Sequence, residues 1–135
     1  MEILASRMLL RPVDYEKSLT FYRDRIGLAI AREYPGGTVL FAGQSLLELA
    51  GYGNPDQSHG PFPGALWLQV RDVEATQAEL IGRGVSITRE ARREPWGLYE
   101  MHVTDPDGIT LIFLEVPRGH PLRADTRGER QGTDG

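Results

Sequence analysis

The sequence predicts an α+β protein made of two paired βαβββ modules, with curled mixed sheets that form a cleft and helices outside. Two stretches of the chain read as strand, amphipathic helix and strand, and the aspartates that precede the two helices, Asp14 and Asp72, lie 58 residues apart. Each stretch then runs into a hairpin that ends in a carboxylate between apolar residues, Glu48 and Glu115. A repeat of only two copies points to paired modules with a cleft between them.

The modules are expected at residues 3–50 and 65–116, within a single domain of residues 1–117. A chain of 135 residues is an ordinary length for one domain with a modest core. Residues 51–64 are rich in glycine and proline, which predicts a linker between the modules. Residues 118–135 have little to bury, and are therefore expected to form a polar tail.

In the first module, Asp14 is a good N-cap for a helix over residues 15–26, and Gly27 supplies its end. Alternating apolar residues and turn-forming glycines predict the four strands around this helix. These strands are expected at residues 3–11, 28–33, 38–42 and 45–50.

The second module repeats this plan, with Asp72 as the N-cap of a helix over residues 73–84. The segment Asp105-Pro106-Asp107-Gly108 predicts a tight turn, since proline suits its second position and glycine accepts a positive φ. The strands are expected at residues 66–71, 85–89, 97–104 and 109–116, with a solvated charged loop at residues 90–95.

The composition excludes several classes of function. The chain has no cysteine, which excludes disulfides, thiolate metal sites and a cysteine nucleophile. A net charge of −4 does not favour nucleic-acid binding, and no apolar run approaches the length of a membrane span. The N-terminus lacks the pattern of a secretory leader, so we expect a cytoplasmic protein without nucleic-acid or membrane partners.

The order of elements resembles the vicinal oxygen chelate superfamily, which includes glyoxalase I, extradiol dioxygenases and the fosfomycin- and bleomycin-resistance proteins. The resemblance covers residues 3–117 and rests on Ser18-Leu-Thr-Phe-Tyr22 with Gly27-Leu28, on Trp96-Gly97, and on Asp105-Pro-Asp-Gly108 followed by Leu114-Glu115. It implies curled sheets with helices outside and a cleft inside, whereas a fold alone does not fix a function.

Catalytic members of this family hold a divalent metal with histidine (or glutamine) in strand one, glutamate in strand four, histidine in strand five and glutamate in strand eight. The resemblance places Arg7, Glu48, Ala65 and Glu115 at these positions. Arg7 is permanently cationic and Ala65 has no ligand atom, so neither can bind a metal. We therefore expect no cofactor. The alternative is Mn, Fe, Ni or Zn held by Glu48, His102 and Glu115.

The leading functional hypothesis is a non-catalytic protein that sequesters a planar aromatic antibiotic or metabolite, as in the metal-free bleomycin-resistance branch. The alternative is a metal-dependent lyase, isomerase or dioxygenase of the glyoxalase type, so enzymatic activity stays open, and no catalytic residue is assigned. Tryptophans can stack on a flat ligand or simply pack. Strand alternation places eight candidate binding residues in the cleft: Arg7, Glu48, Trp67, Gln69, Glu100, His102, Phe113 and Glu115. Trp96, in a loop after Pro95, is a ninth candidate.

Two further predictions concern partners and the remaining histidines. Open sheet edges and half-clefts are normally covered, so a homodimer is expected. His59 lies in the linker and His120 in the tail, where solvated residues are commoner than metal ligands.

Overall fold

The computed structural model describes residues 1–51 and 62–123, which form two mixed four-stranded sheets, each with one helix packed on it. The sheets are open, with strand orders β1-β4-β3-β2 and β5-β8-β7-β6, so the predicted α+β architecture of two βαβββ modules is confirmed. The strands are β1 (Met8–Leu10), β2 (Ile30–Tyr34), β3 (Gly37–Ala42), β4 (Ser45–Ala50), β5 (Ala65–Gln69), β6 (Ile87–Arg93), β7 (Tyr99–Thr104) and β8 (Thr110–Glu115).

The two modules share one pattern of pairing. In each, the first strand runs parallel to the last, and the last three strands are antiparallel neighbours. The first strand is shorter than expected, because residues 3–7 and Arg11 lie outside β1. Residues 90–93, expected in a solvated loop, instead extend β6.

Helix α1 begins after Asp14, whose side chain accepts a hydrogen bond from the Lys17 amide at 3.1 Å, as the cap prediction requires. It is α-helical over Tyr15–Leu19 and π-helical over Thr20–Ile26. Helix α2 (Val73–Gly82) begins after Asp72, which caps the Ala75 amide in the same way at 3.0 Å.

Each sheet has a helix face and an open face. The helix faces of both modules contribute to one hydrophobic cluster, which joins α1 residues such as Tyr22 to α2 residues such as Leu80. Strand residues of this cluster include Leu40, Leu47, Met101 and Phe113. Burial of these apolar side chains is the dominant favourable contribution to folding, about 25 cal/mol per Å² removed from water.

The turn between β7 and β8 joins the modules. The Tyr22 hydroxyl donates to Oδ2 of Asp105 at 2.7 Å, while Oδ1 of Asp105 accepts from the Asp107 and Ile109 amides. Burial raises the pKa of the Asp105 carboxyl, and these hydrogen bonds oppose that rise. The Asp107 side chain also accepts from the Val13 amide at 3.1 Å. The turn that the sequence predicts is therefore also the junction between β8 and the first module.

No helix in residues 1–51 and 62–123 is long and apolar enough to cross a membrane. The prediction for His59 and most of the predicted linker fall in residues 52–61, outside the described part of the chain. The end of the predicted tail, residues 124–135, also lies outside it.

Candidate functional site

Glu48 is the central charged residue on the open face of the first sheet. Its Oε1 accepts from Nη1 of Arg7 at 2.9 Å, and its Oε2 accepts from the Tyr34 hydroxyl at 2.5 Å. The Tyr34 hydrogen bond, followed by that of Arg7, holds the pKa of the Glu48 carboxyl below its ordinary value, against the opposing effect of desolvation. Both carboxylate oxygens are therefore engaged by hydrogen-bond donors of the same sheet.

The guanidinium of Arg32 adds positive charge to this face, since it lies 5.2 Å from the centroid of the Tyr34 ring. Neither Arg32 nor Tyr34 was predicted as a site residue. Their strand alternates without a clear apolar face, and a bulge between Ile30 and Arg32 shifts the register that alternation would predict.

The open face of the second sheet carries a row of paired residues that crosses all four strands. The Cα register pairs Trp67 with Ile112, Ile112 with His102, and His102 with Arg89. Neighbouring strands lie about 4.8 Å apart, so adjacent members of the row are within reach of one small ligand. Trp67 is 51% exposed, which leaves its ring available at one end of this row.

Glu100 and His102 lie next to each other on this face, two residues apart on β7. Glu100 is only 4% exposed, and its Oε2 accepts from the Trp96 indole Nε1 at 2.7 Å. Its Oε1 lies 3.5 Å from Nε2 of His102. The Nε2 atom of His102 is buried and has no hydrogen-bond partner among the described residues.

Arg89 supplies a second buried donor beside this pair. Its Nη2 donates to the Glu100 carbonyl at 3.2 Å and its Nη1 pairs with Glu94, whereas its Nε is buried without a partner among the described residues. Glu94 is 5% exposed, and the Arg89 and Arg92 guanidiniums outweigh desolvation and hold the pKa of its carboxyl below the ordinary range. Both residues were expected in or beside a solvated loop. Strand alternation alone would have placed Arg89 on the same face as Ile87, and a register shift between these two residues sets Arg89 opposite His102 instead.

Part of this open face is covered by the chain itself. Leu98, Leu114 and Val116 form a small second hydrophobic cluster, with Ile112 at its edge. The His120 ring bonds the Trp96 carbonyl at 3.1 Å, so the first residues of the predicted tail dock on this cover. His102 lies next to the covered part, in the row of paired residues that ends at the exposed Trp67.

Glu115 and Phe113 do not lie in the cleft, contrary to the prediction. Phe113 is 5% exposed and belongs to the main hydrophobic cluster on the helix face. Glu115 lies on that same face, where its Oε1 accepts from the Val73 amide at the start of α2 at 3.0 Å. A carboxylate at a helix N-terminus satisfies free amides and interacts favourably with the helix dipole, which explains its position.

Gln69 lies on the open face of the second sheet, where strand alternation places it. The binding role of each predicted residue stays a prediction. Gln69 is exposed and pairs with Leu114.

A cavity of about 380 Å³ lies between the two sheets, with Arg7 and Ser45 on one side and Ala65 and Trp67 on the other. This volume is within the range of small-molecule sites.

The residues of one chain do not fit a divalent metal. Of the four positions that the family resemblance implies, Arg7 and Ala65 cannot ligate, and Glu115 faces the helix. The alternative set of Glu48, His102 and Glu115 fails for the same reason. Within residues 1–51 and 62–123 there is no group of three histidine, aspartate or glutamate side chains that could hold a metal.

Comparisons with known proteins agree with this fold. The model of the Glyoxalase/Bleomycin resistance protein/Dioxygenase superfamily matches residues 5–113. A lactoylglutathione lyase from Haemophilus influenzae is 31% identical over 119 residues, covering 79% of this chain and 88% of that protein. A probable lactoylglutathione lyase from Synechocystis sp. is 28% identical over 120 residues, covering 80% and 92%.

A solved structure shows the same fold at lower sequence similarity. The crystal structure of a glyoxalase/bleomycin resistance protein/dioxygenase from Nocardioides matches with a TM-score of 0.70 and 17% identity, over 90% of this chain and 89% of that one. Because the family model spans most of the chain, the protein belongs to the glyoxalase/bleomycin resistance protein/dioxygenase superfamily.

Proposed function

We propose that this protein is a glyoxalase-type enzyme, a lyase that acts on a 2-hydroxyacyl thioester such as lactoylglutathione. The observation that carries this proposal is the 31% identity to a lactoylglutathione lyase, of which this chain covers 88%. The second curated relative, of which it covers 92%, carries the same activity in its name.

The expectation of a non-catalytic protein that sequesters an aromatic antibiotic is wrong, because both curated relatives are named as lyases. That expectation took the loss of family metal ligands as a loss of catalysis. The charges of the open faces also suit an anionic ligand, because Glu115 lies on the helix face while Arg32 and Arg89 lie on the open faces. An anionic substrate such as a glutathione thioester therefore meets no excess of negative charge there.

The proposed chemistry is a proton transfer next to a carbonyl group. To convert a 2-hydroxyacyl thioester into a 2-oxoaldehyde and a free thiol, a base must remove the proton from C2, and an acid must return a proton to C1. The open faces offer suitable groups, namely the imidazole of His102 and the carboxylates of Glu48 and Glu100. Because the donor set does not fit a metal, no step is assigned to one.

Purified protein should consume S-lactoylglutathione and release free thiol, followed with a thiol reagent. The matched substrate control is S-methylglutathione, a thioether that keeps the peptide but lacks the acyl group. Consumption of the thioester with release of glutathione and a 2-oxoaldehyde, which a carbonyl reagent detects, supports the proposal. Release of glutathione together with lactate is simple hydrolysis and contradicts it. Saturable binding of both compounds without any thiol release contradicts it.

A further inference from the structure

We infer that His102 is the proton-transfer base of this chain and that Glu100 positions its ring, an inference that rests on the proposed lyase function. The family positions for metal ligands lie in strands one, four, five and eight, whereas these two residues lie on β7. The acid–base chemistry would then be carried by a strand that the family resemblance does not assign.

The first observation is the environment of the His102 ring. Its Nε2 is buried, has no partner among the described residues and lies 3.5 Å from Oε1 of Glu100. A distance of 3.5 Å is long for a hydrogen bond, but catalytic contacts often shorten when substrate binds. A proton on Nε2 that faces Glu100 leaves Nδ1 as the acceptor nitrogen of the neutral ring.

The His102 side chain is partly accessible. About a quarter of it, 25%, is exposed, while Nε2 is buried. The exposed part of the side chain therefore lies away from Nε2, where a ligand can approach it. A base whose second nitrogen is oriented by a carboxylate is the arrangement that activates histidine in many hydrolases.

The second observation is how firmly Glu100 is held. Its Oε2 accepts from Trp96 Nε1 at 2.7 Å, and only 4% of the residue is exposed. The other oxygen, Oε1, faces His102. Trp96 thus fixes one half of the carboxylate and leaves the other half directed at the imidazole.

The third observation is the position of Arg89, the cross-strand partner of His102. Its guanidinium donates to the Glu100 carbonyl and retains a buried Nε without a partner among the described residues. Glu94 is shared between Arg89 and Arg92 and so neutralises only one of these two cations. The remaining positive charge would stabilise negative charge that develops on a substrate oxygen during proton removal. On the other side of His102, Ile112 and Trp67 provide an apolar floor for an acyl group.

The proposed reaction is an isomerisation of the thioester to a hemithioacetal, followed by elimination of the thiol. The C2–H bond of the lactoyl group breaks, its proton goes to Nδ1 of His102, and its electron pair forms the C1–C2 double bond of an enediolate. The proton then returns to C1 while the C2 hydroxyl proton moves to the C1 oxygen. The C1–S bond breaks last, and the thiol leaves with that hydroxyl proton as a 2-oxoaldehyde forms.

His102→Gln and His102→Asn are the direct tests, since each keeps an amide near one ring nitrogen but cannot act as a base. Thiol release from S-lactoylglutathione should fall by about a hundredfold or more in both variants. Glu100→Gln should lower kcat with little change in KM, because it leaves the substrate contacts in place. Glu74→Gln, which removes a carboxylate that accepts from the Tyr99 hydroxyl, is the matched control and should retain the wild-type rate. Circular dichroism and thermal melting establish that each variant is folded.

Exchange of the C–H protons of hydroxyacetone in D2O, followed by NMR, separates this inference from the proposed substrate. Wild-type exchange that His102→Gln abolishes supports the role of His102, even if S-lactoylglutathione is not consumed. Wild-type thiol release that both His102 variants retain within twofold overturns this inference and leaves the lyase function standing. Failure of the wild-type protein in both assays overturns both.

Discussion

Arg25 and Arg83 each donate hydrogen bonds to backbone carbonyl groups at the C-terminal end of the other module's helix. Arg25 Nη1 donates to the Arg83 and Gly84 carbonyls at 3.1 and 3.2 Å, and Arg83 Nη1 donates to the Ile26 carbonyl at 3.0 Å. The last carbonyls of a helix lack partners within it, and a cation there also interacts favourably with the helix dipole. The two arginines lie 58 residues apart, the same separation as the N-cap aspartates. The internal repeat is therefore visible at both ends of the helices.

Gly84→Ala should destabilise the protein, because the backbone conformation at residue 84 and its close contact with the Arg25 side chain both require glycine. Gly84 has a φ of 81°, and a Cβ atom there would lie 2.6 Å from Arg25 Nη1. We expect a loss of about 1–2 kcal/mol in the free energy of unfolding, measured by urea denaturation. Gly82→Ala is the matched control. A Cβ at Gly82 has no atom of residues 1–51 or 62–123 within 4 Å, so this substitution should stabilise the protein by about 0.4–1 kcal/mol. Equal effects of the two substitutions would contradict this account of the helix ends.

Glu48 should make stability depend on acid pH. Its pKa in the folded protein lies below the ordinary value of 4.5, chiefly through the Tyr34 hydrogen bond. The folded state therefore favours the ionised form, so this stabilisation is present above pH 4.5 and is lost as pH falls through the folded pKa. Glu48→Gln should flatten that part of the profile in urea unfolding between about pH 3 and 6. The exposed Glu90→Gln is the control, and a profile unchanged by Glu48→Gln would contradict the prediction.

The fold could be predicted from the sequence because several local signs agree on it. Asp14 and Asp72 cap helices, Gly27 ends one, and the Asp105–Gly108 turn sets the final hairpin. Each rests on local backbone chemistry that one residue type favours. The strand ends were less accurate, because they depend on pairing with distant strands.

The orientation of β8 could not be predicted in the same way. Both faces of this strand are apolar, since Leu111 and Phe113 alternate with Ile112 and Leu114. Glu115 was taken as the sign of the cleft face, although a helix N-terminus is an equally good place for a carboxylate. The alternation of apolar and polar residues in β7 indicates the orientation of β8 more reliably. In β7 the apolar residues Met101 and Val103 alternate with Glu100 and His102, which places Met101 in the core, and its partner Phe113 must then lie there too.

An engineered metal site tests this correction. With Glu115 on the helix face, Ile112 is the β8 residue paired with both Trp67 and His102 on the open face. Arg7→His with Ala65→His should therefore not create a tight site, whereas adding Ile112→Glu should, with Glu48 as the fourth ligand. Titration with Mn, Zn and Ni by calorimetry measures this. Tight binding by the double variant, or by the native protein, would show that another donor faces the cleft.

A homodimer remains a prediction, and the open faces now give it a specific basis. Phe41 and Trp67 are about half exposed there, at 50% and 51%, and Leu9 is 36% exposed. Apolar side chains grouped on one surface commonly mark an interface. Sedimentation should show a dimer of the 15.0 kDa chain. Phe41→Asp should shift it towards monomer, while Ile81→Asp, on the exposed side of α2, should not. A wild-type protein that stays monomeric at micromolar concentration would rule this out.

The proposed enzyme turns over a 2-hydroxyacyl thioester with its own side chains as acid and base. The rate of thiol release from S-lactoylglutathione, measured before and after dialysis against a strong metal chelator, tests this independence from a metal. We expect steady turnover that the chelator leaves unchanged and that added Mn, Ni or Zn does not increase. Turnover that disappears with the chelator and returns with one of these metals would contradict it, as would the absence of thiol release under every condition.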